Sequence, residues 1–294
     1  MATGLLLEGG AMRGLYTAGV LDVLMEQGIE VDGIVGVSAG ALFGMNYKSK
    51  QRGRVLRYNK ANVGNKEYMG IFSLLKTGDV MNKEFCFNKL VHELDPVDFD
   101  TYKNSKEDFY AVVTNMNSGQ AEYIKLDDLG DQKQMEYLRA SGSMPFLSHP
   151  VEIDSEKYLD GGIADSIPID RIMNMNYDKV IVILTRVEDY HKTKSFTLFP
   201  KLYYHKYPQL ISTINNRYLV YNQQLDKVKQ LEKEKKIFVI RPSKLINIKR
   251  LEKNVDKIQE MYDLGNNDAK NCLTALKKYL DEWVLSWKWL ENVF

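Results

Sequence analysis

Two glycine-rich turns within the first 44 residues constrain the fold of this chain more than any other feature. They read Glu8-Gly-Gly-Ala-Met-Arg-Gly14 and Gly36-Val-Ser-Ala-Gly40, and residues 4–44 hold ten of the 20 glycines. Glycine is used where backbone approaches a ligand closely or takes positive φ. Each turn leaves a short apolar run, residues 4–7 and 34–37, of the kind that forms a buried parallel strand. Each then enters a helical pattern. After the first turn, Ala18, Leu21, Leu24 and Met25 recur at spacings of three and four, and Gly28 stands at the C-cap. After the second, Ala41, Leu42 and Met45 form the inner side of a helix that Ser38 begins. Strand, turn and helix twice over imply a parallel sheet with right-handed crossovers.

The remaining elements fit that sheet. Residues 48–104 are loosely helical, with one clearer helix over 83–94. Residues 109–114 read as a strand that 121–126 returns along, and 132–140 as a helix. Residues 179–185 form the clearest later strand, 209–236 a long helix, and 237–240 a strand at the sheet edge. From residue 251 onward only helix is expected, with an apolar stripe that runs from Ala269 and Cys272 through Leu276 to Trp283, Trp287 and Leu290. The loop punctuation at Arg241-Pro-Ser243 suggests an α/β core to about residue 242 and a helical extension over 243–294.

Charge and cysteine content narrow the function. Forty basic against 39 acidic residues leave a net charge of +1, which argues against a nucleic-acid partner. Cys86 and Cys272 fit neither a disulfide framework nor a zinc spacing, and the acids and histidines show no ligand spacing, so no metal or other cofactor is expected. No signal peptide or membrane-spanning run is visible. A cytoplasmic protein that meets membranes from outside is expected; the sequence is silent on oligomeric state.

The chemistry centres on Ser38. A Gly-x-Ser-x-Gly turn between strand and helix projects the serine and sets it beside unpaired helix N-terminal N–H groups. The same pentapeptide also suits a plain serine N-cap. The first turn fails the dinucleotide Gly-x-Gly-x-x-Gly form at Ala11. Consecutive N–H groups at Gly10 and Ala11 suit an oxyanion hole instead. Arg13 suits either a phosphate contact or a structural ion pair. A serine hydroxyl needs a base. Of the four histidines, His92, His149, His191 and His205, the last two satisfy the late position of a triad histidine but sit in a polar, aromatic segment without a strand-end context. Asp160 follows the apolar pair Tyr158-Leu159, and Gly161-Gly162 behind it would hold the carboxylate at a fixed angle. Partial desolvation in a cleft would raise its basicity.

Together these motifs resemble the patatin-like phospholipase family. That family carries an Asp-Gly-Gly-Gly-x-Arg-Gly loop, then Gly-x-Ser-x-Gly, then Asp-Gly-Gly or Asp-Gly-Ala. Here they stand as Glu8 to Gly14, Gly36 to Gly40 and Asp160 to Gly162, with Ala140-Ser-Gly-Ser-Met-Pro145 similar to a small-residue stretch ahead of the aspartate. The resemblance covers residues 4–170 and suggests a bacterial branch. It implies a three-layer α/β/α fold and hydrolysis of lipid acyl esters through an acyl-Ser38 intermediate. Asp160 would be the general base, with Gly9, Gly10 and Ala11 lining the oxyanion hole. Arg13, Gly14, Gly36, Gly40, Gly161 and Gly162 would support the motifs. Ala11 replaces a glycine and would keep its N–H in place if its φ stays negative. The partners implied are a lipid or acyl ester and, transiently, a membrane or micelle surface. Aromatic residues over 196–207 and apolar residues over 69–75 are candidates for the approach to that surface. Two other readings stand beside this one: a histidine-assisted esterase or thioesterase, and a non-catalytic relative that binds an anion or lipid.

Overall fold

In the computed structural model, residues 1–194 and 199–282 are described. Phe196 of the expected approach surface and Trp283, Trp287 and Leu290 of the C-terminal stripe lie outside them. The elements run β1 (Thr3–Leu7), α1 (Leu15–Glu26), β2 (Gly33–Val37), α2 (Ala39–Lys48), α3 (Arg54–Asn62), α4 (Ile71–Thr77) and α5 (Phe99–Asn104). There follow β3 (Asp108–Asn115), β4 (Ala121–Lys125), α6 (Gln132–Ser141), β5 (Val151–Ile153), β6 (Glu156–Asp160), α7 (Ile169–Met173) and β7 (Lys179–Ile183). The chain ends with α8 (Phe199–Tyr203), α9 (Pro208–Lys233), β8 (Phe238–Ile240) and α10 (Val255–Asp281).

The strands form one sheet in the order β5-β6-β3-β2-β1-β7-β8, with β4 also on β3. The pairs among β8, β7, β1, β2 and β3 are parallel, and those of β4, β5 and β6 antiparallel. Side chains of a strand alternate between the two faces of its sheet, and here both faces are buried. Leu5, Leu7, Ile34 and Ile181 pack with α1, α2 and α10. Leu6, Val35, Val112 and Val182 pack with α7 and α9 on the other side. The result is three layers, α/β/α.

Register along β3 makes the site. Ala111 and Val112 pair with Gly36 and Val37 of β2 and also with Ile124 and Tyr123 of β4, so β2 and β4 lie on opposite edges of β3. Val113 pairs with Glu122 of β4 and with Asp160 of β6. β6 therefore lies on the β2 edge. β2 arrives parallel to β3 and β6 antiparallel, so their carboxyl ends meet head to head, at Val112 and Val113.

Between α2 and β3 the chain forms a helical cap rather than a loose segment. Arg54, buried at its centre, donates to the Asp95 carbonyl and to Asn46 Oδ1. The helix expected over residues 83–94 is present from Phe85 to Leu94, wound in the wider π register. Its buried residues explain the pitch: Phe85 and Leu90, like Cys86 and Val91, are five apart.

Candidate active site

Ser38 stands between β2 and α2 with φ 54° and ψ −123°, a conformation L-residues rarely adopt. The turn tolerates no side chain at its flanking glycines. A Cβ on Gly36 would lie 2.7 Å from the Ala41 Cα, and one on Gly40 would lie 2.3 Å from the Leu7 carbonyl oxygen. The strained serine is held by Ser141 at the end of α6. The Ser141 hydroxyl accepts from the Ser38 N–H (3.0 Å) and donates to the Val112 carbonyl (2.7 Å).

The Ser38 hydroxyl donates to Asp160 Oδ2 at 2.6 Å, across 122 positions of sequence. The Gly162 N–H donates to Oδ1 at 2.7 Å, so Asp160-Gly-Gly fixes the carboxylate angle. Asp160 is buried, and desolvation raises its pKa above the usual carboxylate range; the Ser38 hydrogen bond, the Arg217 charge and the Gly162 N–H oppose that rise.

The first turn lies against the second. Glu8 is buried and anchors it. One oxygen accepts from the Tyr221 hydroxyl of α9 (2.7 Å), the other from the Thr185 N–H (2.6 Å) and hydroxyl (3.1 Å). Gly14 packs beneath Ala39 and Phe43 of α2. Gly161 sits against the Val112 carbonyl. One expectation needs correcting: Ala11 has φ 50°, not a negative φ. The turn bends into a short helical segment at Ala11 in the left-handed region, at a cost of about 1–2 kcal/mol for a non-glycine residue. The N–H groups of Gly10 and Ala11 have no acceptor among the described residues.

Ser38 sits where two cavities meet. One is apolar and runs under the helical cap, lined by Met12, Phe43, Tyr58, Leu90, Val91 and Met135. The other is polar and holds Gly9, Gly10, Ala11, Arg13, Asp160 and Gly162. Ala11, Ser38, Met144 and Arg250 line both. None of the four histidines lines either. His149 lies 3.6 Å from Asp79, and His92 stacks on Phe99. Arg13 makes no ion pair within 4.0 Å among the described residues. Its guanidinium faces the polar cavity, and burial, then Arg186, push its pKa down to about 10. Among the described residues no cluster of His, Cys, Asp or Glu could hold a metal ion.

The sequence reading missed several residues of the site. Ser141 was within reach, since it lies in the small-residue stretch. Thr185, Arg186, Lys192, Arg217, Tyr221 and Arg250 carry no local motif, and only the tertiary fold brings them to the cavity.

Fold and site define an α/β protein with a strained serine and a buried carboxylate at the junction of an apolar and a polar cavity. The chain belongs to the patatin-like phospholipase family, whose model matches residues 5–173, and is at that level a lipid acyl hydrolase. A second model, a domain of unknown function (DUF6363), matches residues 207–281. An uncharacterized protein of Escherichia coli, YjjU, is 25% identical over 289 residues, covering 95% of this chain and 79% of that protein. Lysophospholipase nte1 of Aspergillus fumigatus is 30% identical over 189 residues, 62% of this chain. The chain spans only 12% of that enzyme's length. The crystal structure of VipD from Legionella pneumophila superposes with a TM-score of 0.45 at 14% identity, covering 93% of this chain and 67% of that one.

Proposed function

We propose that the protein hydrolyses acyl esters of lipids, phospholipids or lysophospholipids among them, through an acyl-Ser38 intermediate with Asp160 as general base. The observation that carries this is the 2.6 Å hydrogen bond from Ser38 to a buried carboxylate whose basicity is raised. In the acylation step Ser38 Oγ attacks the ester carbonyl while its proton passes to Asp160. The carbonyl oxygen becomes an oxyanion, and the N–H groups of Gly10 and Ala11, with Gly9 beside them, are its donors. Collapse expels the alkoxide of the head-bearing alcohol, which takes the proton from Asp160. Water, deprotonated by Asp160, then releases the fatty acid. The apolar cavity suits the acyl chain and the polar one the head group. The similarity to fungal lysophospholipases agrees with a lipid substrate.

A lipid surface is the proposed partner. Ile71, Phe72 and Leu75 of α4 are more than half exposed, as are Leu202 and Tyr203 of α8. Both helices attach to the segment over 144–149 that borders the two cavities. The Val80 N–H donates to the Leu147 carbonyl at 2.7 Å, and Phe146 meets Tyr203 edge to face and packs at a tilt against Tyr204. Residues 69–75 and 202–207 are thus held on the same rim. Among the described residues no helix is long and apolar enough to cross a membrane.

Labelling with a fluorophosphonate probe tests the chemistry. Wild type should label; Ser38→Ala should not, and Asp160→Asn should label at least a hundredfold more slowly, the usual worth of general-base catalysis being ~10²–10⁴. Labelling that persists in Ser38→Ala would refute the assignment.

A further inference from the structure

The polar cavity holds five cations: Arg13, Arg186, Lys192, Arg217 and Arg250. None of them forms an ion pair within 4.0 Å among the described residues, although Lys and Arg form such pairs elsewhere. Two carboxylates face them. Glu8 is taken up by Tyr221 and Thr185, and Asp160 by Ser38 and Gly162. Four guanidinium cations against two carboxylates leave a surplus of two positive charges in one cavity, to which Lys192 adds when protonated, in a chain whose net charge is +1. The Nε atoms of Arg13 and Arg217 are buried with no hydrogen-bond partner among the described residues. Buried donors without partners are costly, about 1–3 kcal/mol each and more for charged groups, and persist where something supplies the acceptor. Burial and then the Arg217 charge push Lys192 down to about 7, with Arg186 and Arg13 adding to the effect and Glu8 opposing it.

Resting on the hydrolase reading above, we infer that this cavity seats a phosphomonoester head group, so that the preferred substrate is an acyl glycerophosphate or its lyso form. A phosphomonoester carries about −1.5 to −2 charge at pH 7 and three strong acceptor oxygens, which match orphaned guanidinium donors in fork geometry. A zwitterionic choline head is disfavoured twice. Its phosphate offers a single negative charge. Its ammonium meets the cationic surplus, and two of the aromatic rings that line the cavity, Tyr221 and Tyr190, already hold cations. Lys192 Nζ lies 4.1 Å from the centre of the Tyr221 ring, and the Arg186 guanidinium 4.2 Å from that of Tyr190.

The placement of the cations assigns a task to the C-terminal part of the chain. Only Arg13 falls within the patatin-model match of residues 5–173; Arg186, Lys192, Arg217 and Arg250 come after it, the last two within residues 207–281. The same region supplies Tyr221, which holds both Glu8 and Lys192. On this inference the region after the catalytic motifs selects the head group.

The test compares lysophosphatidic acid with lysophosphatidylcholine of the same acyl chain, in micelles of a neutral detergent. The wild-type ratio of kcat/KM should favour the phosphomonoester at least tenfold. In Arg186→Gln/Lys192→Gln the ratio should fall towards one, chiefly through KM, and Lys192→Arg should retain it. Equal rates for the two lipids in wild type, or a ratio that the double substitution leaves in place, would overturn the inference. Inorganic phosphate should compete only weakly. Competition by phosphate as tight as by the lysophospholipid would assign the cavity to free phosphate and overturn it too. Ser38-dependent turnover of p-nitrophenyl butyrate separately reports the hydrolase reading. Should that reading fail, equilibrium binding of the two lipids to Ser38→Ala decides the head-group inference, parity overturning it.

Discussion

At the residue scale, the site depends on a carboxylate kept basic without losing its charge. Desolvation pushes the Asp160 pKa up, while the Arg217 charge and the Gly162 N–H pull it back. On the proposed mechanism Asp160 works as base only when ionised, so kcat/KM should fall as pH drops through its pKa, at a pH above that of an ordinary carboxylate of about 3.9. Arg217 stabilises the ionised form; Arg217→Gln therefore raises the pKa and moves the acid limb of kcat/KM to higher pH. p-Nitrophenyl butyrate, which does not titrate, is the substrate for this measurement. A limb that stays or moves to lower pH would refute the coupling. Ser38, Asp160 and the glycines around them were legible from sequence because each sits in a short motif with a local geometric purpose. The conformation of Ala11 was not. Its φ of 50° follows from the packing of its loop beneath α2 and against Thr185, and alanine at that position gives no local sign of it.

At the element scale, glycine sets how α10 joins the core. Gly19 of α1 and Gly265 of α10 face each other's backbones. A Cβ on Gly19 would lie 2.1 Å from the Tyr262 carbonyl oxygen, and one on Gly265 would lie 2.0 Å from that of Tyr16. The close crossing lets Ile258, Met261, Leu264 and Leu276 join the main apolar core. Neither backbone can give way cheaply, so Gly265→Ala should destabilise by about 3 kcal/mol. Asn267→Ala, on the exposed side of α10, should stay within about 0.5 kcal/mol. Urea unfolding midpoints of the two variants compare them directly, and equal midpoints would refute the account. The helices and strands themselves were largely readable, because β1, β2, β3 and β7 carry short apolar runs and α1 and α2 carry apolar residues at spacings of three and four. The π register over Phe85–Leu94 was not, because its five-residue spacing serves the cavity it lines.

At the scale of the whole molecule, the exposed apolar residues of α4 and α8 are the proposed lipid-facing surface. Burying one Phe or Leu side chain is worth about 1.5–3 kcal/mol. Phe72→Asp/Leu75→Asp should thus lower co-sedimentation with anionic phospholipid vesicles at least tenfold. The ratio of vesicle turnover to p-nitrophenyl butyrate turnover should fall with it. Binding that matches wild type would place the docking surface elsewhere.

Local chemistry suffices to declare a strand, a sharp turn and a helix, and so residues 4–44 alone determined a parallel sheet with a projecting serine. Residues 158–162 likewise pointed to Asp160, because a carboxylate followed by two glycines has a recognisable local form. What joins the two is decided only in three dimensions, by the one-residue step from Val112 to Val113 that brings the ends of β2 and β6 together. The basic cavity is likewise a tertiary product. Arg13, Arg186, Lys192, Arg217 and Arg250 lie far apart in a chain of nearly balanced charge. Electrostatic potential depends on distance in space, and sequence separation carries no information about it.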